Sequence, residues 1–256
     1  MSKGLAKTYS KEIIKELDKI PVYLPGANVK IGDVITFGKG FLKPKPLGSF
    51  QQVTDLESLN INFKIEKDST PDSYIYSSKK GVKVDFNADI DTGKDTSGTA
   101  KIVFEKEGAI YFAGIDCLSH HMKSTAHLQS ALDKHKNTIN WKNCFIVTGV
   151  TTAKKALICQ SSSKTATLEI KGKTQGFKTG VPSDLSVEAE FIIEKSGSTS
   201  FLKDWSEDVT VFFTLMRYRK KLFGGSELET TKSMFINHDN DEYELFSVRA
   251  EDLYME

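Results

Sequence analysis

The chain has 256 residues, 39% of them hydrophobic and 27% charged, a composition that indicates one large globular domain and excludes a disordered or fibrous protein. It contains no run of about 18 to 20 apolar residues, which excludes a membrane-spanning helix, and the first residues lack the apolar core of a secretory signal. We therefore expect a protein that is cytoplasmic when inactive.

The net charge of +1 hides an uneven distribution along the chain. Residues 222–256 carry nine acidic and two basic side chains, a net charge of −7, so residues 1–221 sum to +8. The most basic end is residues 1–48, with nine lysines against four acids. We therefore expect a domain over 1–221 and an acidic tail over 222–256 packed on it. The tail would either mask the basic end or form an ordinary strand or helix.

Residues 4–20 predict an amphipathic helix. Apolar side chains recur at helical spacing, and lysines recur every four residues on the opposite sector. Pro21 ends the predicted helix. The apolar stripe contains Leu5, Ala6, Tyr9, Ile13, Leu17 and Ile20, and the basic stripe contains Lys3, Lys7, Lys11, Lys15 and Lys19.

Glycine and proline are dense over residues 38–48, which predicts a loop. Phe41 and Leu42 stand between lysines at its tip, where neither a helix nor a strand would bury them. Lysines attract anionic headgroups, and an apolar tip can enter the headgroup boundary. A solvated helix face is the alternative for the helix lysines. The candidate lipid-binding residues are Lys7, Lys11, Lys15, Lys39, Phe41, Leu42, Lys43 and Lys45.

Four segments alternate apolar and polar residues, the pattern of a strand with one buried face. They cover 82–90, 100–105, 165–171 and 185–194 and form two hairpins by sequence order. Such strands ordinarily cover a soluble core. Their other use is a transmembrane barrel, whose strands need about 9 to 11 residues with alternate side chains facing lipid. The candidate lipid-facing residues are Val82, Val84, Phe86, Ala88, Ile90, Ile102, Phe104, Ala166, Leu168, Ile170, Val187, Ala189 and Phe191.

The remaining apolar segments predict the core. Residues 144–150 and 156–159 are apolar on both faces, which predicts two buried strands joined by a turn. Residues 209–219 predict another buried strand with a basic end, and residues 116–136 predict one or two surface helices.

The three cysteines, Cys117, Cys144 and Cys159, are expected to be plain buried thiols in a reducing compartment. The alternative is redox control, in which one of them links two chains and reduction releases them. The candidate metal ligands are Cys117, His120, His121 and His127. On a helix Cys117 and His121 would share a face, but the set lacks a paired Cys-x-x-Cys, so we predict no metal site.

The order of these features resembles the pore-forming N-terminal domain of the gasdermin family. After the basic helix and loop, residues 143–157 are similar to the family's Tyr-Val-Val-Thr-Glu-Val strand and the turn after it. Residues 208–221 are similar to its last strand with a basic finish. The alternating segments flank the core strands, where the family keeps its membrane hairpins. The chain looks like a minimal member without a large C-terminal repressor domain.

The resemblance implies an α+β fold, with a twisted antiparallel sheet core and surrounding helices, that converts to a large transmembrane β-barrel on oligomerisation. The implied function is pore formation at the cell membrane in lytic programmed cell death (pyroptosis) and innate immunity. Its partners would be acidic phospholipids and further copies of the chain, as a membrane ring and a resting dimer. No cofactor is implied.

Three other functions are weighed against this one. A soluble β-rich lipid- or protein-binding module would use the same hairpins without inserting them. An enzyme is not supported, because the chain has no Gly-x-Ser-x-Gly, phosphate-loop or His-Glu-x-x-His motif. Nucleic-acid binding is not expected, because the basic segments lack interleaved aromatic residues.

Overall fold

The computed structural model describes residues 3–22, 29–37, 44–49, 64–78, 80–88, 98–134, 136, 141–172, 191–196, 199–220 and 243–250. The helices are α1 (Lys3–Leu17) and α2 (Ala126–Lys134), and a short 3₁₀ turn covers Trp141–Asn143. The strands are β1 (Ile20–Pro21), β2 (Asp33–Phe37), β3 (Pro44–Ser49), β4 (Ile65–Lys67), β5 (Asp72–Ser77), β6 (Val82–Ala88), β7 (Gly98–Phe104), β8 (Ile110–Met122), β9 (Cys144–Ser161), β10 (Ala166–Gly172), β11 (Phe191–Ser196), β12 (Thr199–Lys220) and β13 (Tyr243–Val248).

Within these ranges the strands form two antiparallel sheets, so the chain is mostly antiparallel β-sheet with two helices, an α+β fold. In the larger sheet, here called the core sheet, β9 lies between β12 on one side and β8 with β2 on the other. The second sheet, here called the hairpin sheet, has the strand order β11-β10-β7-β6.

The long strand β9 corrects one prediction. Cys144–Ser161 forms one continuous strand of 18 residues, and no turn divides it. The mostly polar residues 151–155 do not form the predicted turn, because they pair with β8 and β12 at the same time. Pairing on both edges satisfies its backbone groups, so these residues stay extended although their side chains are polar.

Residues 116–122 correct a second prediction, because they belong to strand β8 and not to a surface helix. The predicted helix exists only as α2, Ala126–Lys134. In β8 the polar end is stabilised from both sides, since it pairs with β9 and with the short strand β4. These long-range pairings override the weak helical spacing of the segment.

Residues 44–48 correct a third prediction, because they lie in strand β3 and not in a loop. Pro44 and Pro46 pair with Phe37 and Ile35 of β2. Proline cannot donate to a ladder, but β3 lies at the end of the strand order, where a missing donor faces no further strand. A register shift between Val34 and Ile35 accommodates the prolines. Residues 38–43 lie outside the described residues.

Helix α1 is confirmed as amphipathic, although it ends at Leu17 and not at Ile20. Asp18 takes a positive φ of 50° and donates its backbone N–H to the Ile14 carbonyl, which closes the last turn. Ile20 and Pro21 then pair with β12 as β1. No helix in the described part of the chain is long and apolar enough to cross a membrane.

The core sheet is covered on both faces. Along β9, Ala156 and Ile158 pack with Tyr9 and Ile13 of α1, whereas the alternate residues Leu157 and Cys159 belong to the cluster of the hairpin sheet. At the other end of β9, Phe145 and Val147 belong to the cluster of Ile14 of α1, whereas Ile146 between them belongs to the cluster of α2. The hairpin sheet and α2 therefore cover the face opposite α1.

Within the acidic tail, Tyr243–Val248 forms β13, which pairs with β12 from Leu215 to Lys220. The Leu245 backbone N–H donates to the Gln129 side chain of α2 at 2.8 Å. Ala250 is buried in the same cluster as Ile14 of α1. This part of the tail is thus an ordinary strand, the alternative to masking, while residues 221–242 and 251–256 lie outside the described residues.

Candidate functional site

The hairpin sheet joins the two predicted hairpins edge to edge, because β7 of the first pairs with β10 of the second over seven residues. Cross-strand rows therefore run through both hairpins. One row is Val84, Ile102 and Leu168, and the next begins with Phe86 and Ala100. The four strands thus form one continuous surface and not two separate ribbons.

The inner face of this sheet is apolar. Five of its side chains are fully buried and pack on residues of β8 and β9 in the core sheet. They are Ala100, Ile102, Phe104, Leu168 and Ile170. Val82, Val84 and Phe86 on the edge strand β6 are half-buried against the same cluster. In the described fold, the apolar side therefore covers the interior of the protein.

The outer face is mostly polar, with Ile192 exposed on it at 66%, and it carries three lysine–glutamate pairs. Lys101 Nζ lies 3.8 Å from Glu169 Oε1, and Lys171 Nζ lies 2.7 Å from Glu194 Oε1. The third pair, Lys83 with Glu105, has a distance of 2.5 Å. Hydrogen bonding to Glu105 raises the pKa of Lys83, and hydrogen bonding to Glu194 raises that of Lys171. Pairs as exposed as these add little stability, but they keep this face hydrated.

Some of the predicted lipid-facing residues lie on the described inner face of the hairpin sheet, and the side chains of the others are outside the description. Val82, Val84, Phe86, Ile102, Phe104, Ala166, Leu168 and Ile170 share the inner face of the hairpin sheet. Ala88 and Phe191 lie in its strands, but their side chains are outside the description, as are residues Ile90, Val187 and Ala189 altogether. The predicted set omitted Ala100 and Ile193. Both keep the alternation of their strands and pack against the inner cluster.

The predicted lipid-binding residues are placed only in part. Lys7, Lys11 and Lys15 are exposed on α1, opposite its buried stripe. Lys45 lies in β3, where its backbone pairs with Thr36, and its side chain is outside the description. Lys39, Phe41, Leu42 and Lys43 lie outside the described residues. The structure therefore places the three lysines of α1 on an exposed helix face. The lipid-binding role of the other candidate residues stays a prediction.

All three cysteines are buried, and none of them forms a disulfide. Burial raises the pKa of Cys117 to about 12, helped by Asp72 and Asp116, and burial also raises the pKa of Cys144. Reactive cysteines are thiolates in accessible positive surroundings, whereas these three thiols are buried. A disulfide between chains would first require the fold to open at these positions.

We expect the thiols of the native protein to resist iodoacetamide at pH 8 and to react quickly once the chain is unfolded, because alkylation needs an accessible thiolate. The raised pKa also has a stability consequence. The unfolded Cys117 thiol ionises from its ordinary value of 9.0, and the folded one only near 12, so its contribution to stability is lost as the pH rises above about 9. Mass spectrometry after timed alkylation measures the reactivity, and fast labelling of the native protein would favour redox control.

The candidate metal ligands do not share one helix, because Cys117, His120 and His121 lie on strand β8 and His127 lies on α2. Cys117 and His121 are on strand β8, so the shared helix face does not exist. His121 lies between two carboxylates, 3.6 Å from Glu66 and 3.8 Å from Asp68. In the described ranges, no group of three or more histidine, cysteine or acidic side chains is arranged to hold a metal ion.

A cavity of about 380 Å³ opens between the end of α1, the middle of the core sheet and the end of β13. The charged or titratable side chains of its lining are Asp18, Lys19, His120, His121 and Arg249, and Phe213 contributes to its apolar part. This volume falls in the range of small-ligand pockets. Its lining combines charged and apolar groups.

No protein-family model matches this chain, and no curated protein is significantly similar to it.

Proposed function

We propose that the chain is a gasdermin-like pore-forming protein. It binds acidic phospholipids through the basic face of α1, assembles into a ring, and turns the inner face of the hairpin sheet towards acyl chains. The observation that carries the proposal is that both hairpins form one sheet with a continuous apolar face and an ion-paired polar face. A membrane barrel needs the same separation between lipid and lumen.

The strand lengths support insertion only if the strands grow. Strands β6, β7 and β10 have 7 residues each and β11 has 6, whereas a spanning strand needs about 9 to 11. The sequence supplies the extension for β11, because Leu185, Val187, Ala189 and Phe191 keep the parity of Ile193. For β6, Ile90 continues the alternation of Val84 and Phe86. The extended strands would present apolar side chains on the same face as the described ones.

Oligomer assembly follows from the edges of the hairpin sheet. Strands β6 and β11 lie at the two ends of its strand order. A lipid environment tolerates no unpaired edge, because backbone groups find no water there. Four strands cannot close a barrel with a water-filled lumen, so many copies would pair edge to edge and close the ring together.

Dye release from vesicles tests this function. We expect the purified protein to empty vesicles that contain acidic phospholipid and to leave zwitterionic vesicles sealed, because docking depends on the lysines of α1. Fluorescence dequenching measures release, and electron microscopy of the same vesicles shows whether rings form. If acidic vesicles bind the protein but retain their dye, the binding-module alternative replaces the pore proposal.

A further inference from the structure

Both hairpins leave the core sheet at connections that meet beneath α1. Of the described residues, Ser78, Lys80 and Gly81 lead from β5 into β6, and residues 105–109 lead from β7 into β8. Residues 161–165, which begin with the last residue of β9, lead into β10. If the hairpin sheet is to leave the core sheet, the backbone must turn at these three connections and at the one from β11 into β12, whose residues 197–198 lie outside the described residues. We call the three described connections the hinges.

Backbone hydrogen bonds tie the hinges to one another. The Gly81 and Val82 N–H groups donate to the Ser78 carbonyl, each at 3.1 Å, and Glu105 N–H donates to the Gly81 carbonyl at 2.9 Å. The Gly108 N–H donates to the Ser161 carbonyl at 2.8 Å, and the Ser161 N–H donates to the Ala109 carbonyl at 2.9 Å. The three hinges therefore form one connected network.

Glu12 of α1 holds this network from one side. Its Oε2 accepts a hydrogen bond from the Tyr76 hydroxyl at 2.8 Å and another from the Ser78 hydroxyl. The same Ser78 oxygen accepts the Ile110 backbone N–H at 2.9 Å. One carboxylate on the helix thus orients the residue that begins the first hinge and the residue that follows the second. Hydrogen bonds to a charged group are stronger than neutral ones.

Gln160 of β9 holds the network from the other side. It is fully buried, and its Nε2 donates to the Leu5 carbonyl of α1 at 2.8 Å and to the Gly108 carbonyl at 3.3 Å. Gly108 has a φ of 81°, which favours glycine, and a Cβ there would lie 3.3 Å from Thr8 of α1. The N-terminal half of α1 is therefore packed and hydrogen-bonded directly on the hinges.

We propose that Glu12 and Gln160 are positioning residues that couple the seating of α1 to the hinges of the hairpin sheet. While α1 packs on the hinges, the Glu12 carboxylate and the Gln160 side chain hold the hinges in their resting conformation. When the exposed lysines of the helix bind a lipid surface and α1 shifts, these hydrogen bonds break and the hairpin sheet is released. The link to lipid rests on the proposed function, whereas the coupling between helix and hinges is a property of the fold alone.

Hydrogen exchange of the full chain without lipid tests the coupling. We expect Glu12→Gln to speed exchange of the Val82 and Ile110 amides about tenfold, because the charge that orders Ser78 is lost. The far end of the core sheet, read at the Val147 amide, should be unchanged. Glu16→Gln is the matched control, since it removes the same charge from the same helix, and it should leave the hinge amides as they are. Tyr76→Phe, which deletes a single hydroxyl, should give a smaller increase at the same amides.

The same variants are then added to acidic vesicles. We expect dye release to begin sooner with Glu12→Gln than with the unsubstituted protein or Glu16→Gln. Unchanged hinge exchange in Glu12→Gln, or an equal increase at every amide, overturns the coupling whatever the vesicles do. If the unsubstituted protein releases no dye, the pore proposal fails, and the exchange result still decides the coupling.

Discussion

Val84→Lys is expected to abolish dye release while leaving the soluble protein folded. Val84 lies inside the predicted spanning segment and faces the inner cluster, but only half-buried, because β6 is an end strand of the hairpin sheet. A lysine there can extend its amine to water in the soluble state. In a barrel the same side chain faces lipid, where a lysine near the midplane costs about 2–4 kcal/mol, and the cost recurs in every subunit.

Asn87→Lys is the matched control for this variant. It adds the same charge to the same strand, but Asn87 is exposed on the outer face and would line the lumen. We expect it to release dye at the rate of the unsubstituted protein, and circular dichroism should show both variants folded. Equal dye release by the two variants would mean that the inner face never meets lipid. A charge at Leu168 would not separate the two states, because Leu168 is 0% exposed and a charge there would unfold the resting protein as well.

The triple substitution Lys7→Gln, Lys11→Gln and Lys15→Gln is expected to weaken binding to acidic vesicles about a hundredfold, because each lysine near an anionic leaflet contributes about 1 kcal/mol. The side chains lie on the exposed face of α1, so the helix should stay folded. Since the attraction is screened, the difference between the two proteins should shrink as salt is added. Cosedimentation with vesicles of graded acidic content measures the affinity.

A second triple, Lys83→Gln, Lys101→Gln and Lys171→Gln, controls for net charge. It removes three positive charges from the outer face of the hairpin sheet, where each lysine is already paired with a glutamate. We expect at most a small loss of binding from it. If both triples weaken binding equally, the protein responds to its total charge, and the basic face of α1 has no specific part in docking.

The local sequence pattern was sufficient to predict a helix or strand wherever one face of that element is buried along its length. The helical spacing from Leu5 to Leu17 identified α1, and the alternation from Val82 to Phe86 identified β6, because burial on one face imposes that period on the sequence. The inner-face residues of the candidate site were found in the same way. Their role in a membrane stays a prediction, because alternation looks the same whether a face covers a protein core or meets lipid.

The tertiary structure decided which segments pair. Residues 116–122 became strand because β4 and β9 pair with both edges, and Pro44 and Pro46 entered β3 because an end strand tolerates missing donors. The same is true of the junction between β7 and β10, which unites the hairpins, and of the contact of Glu12 with Ser78, 66 positions along the chain. The spacing of apolar residues shows which side of a helix or strand is buried. It does not show which other element packs or pairs with that helix or strand, because this depends on the packing of the whole chain.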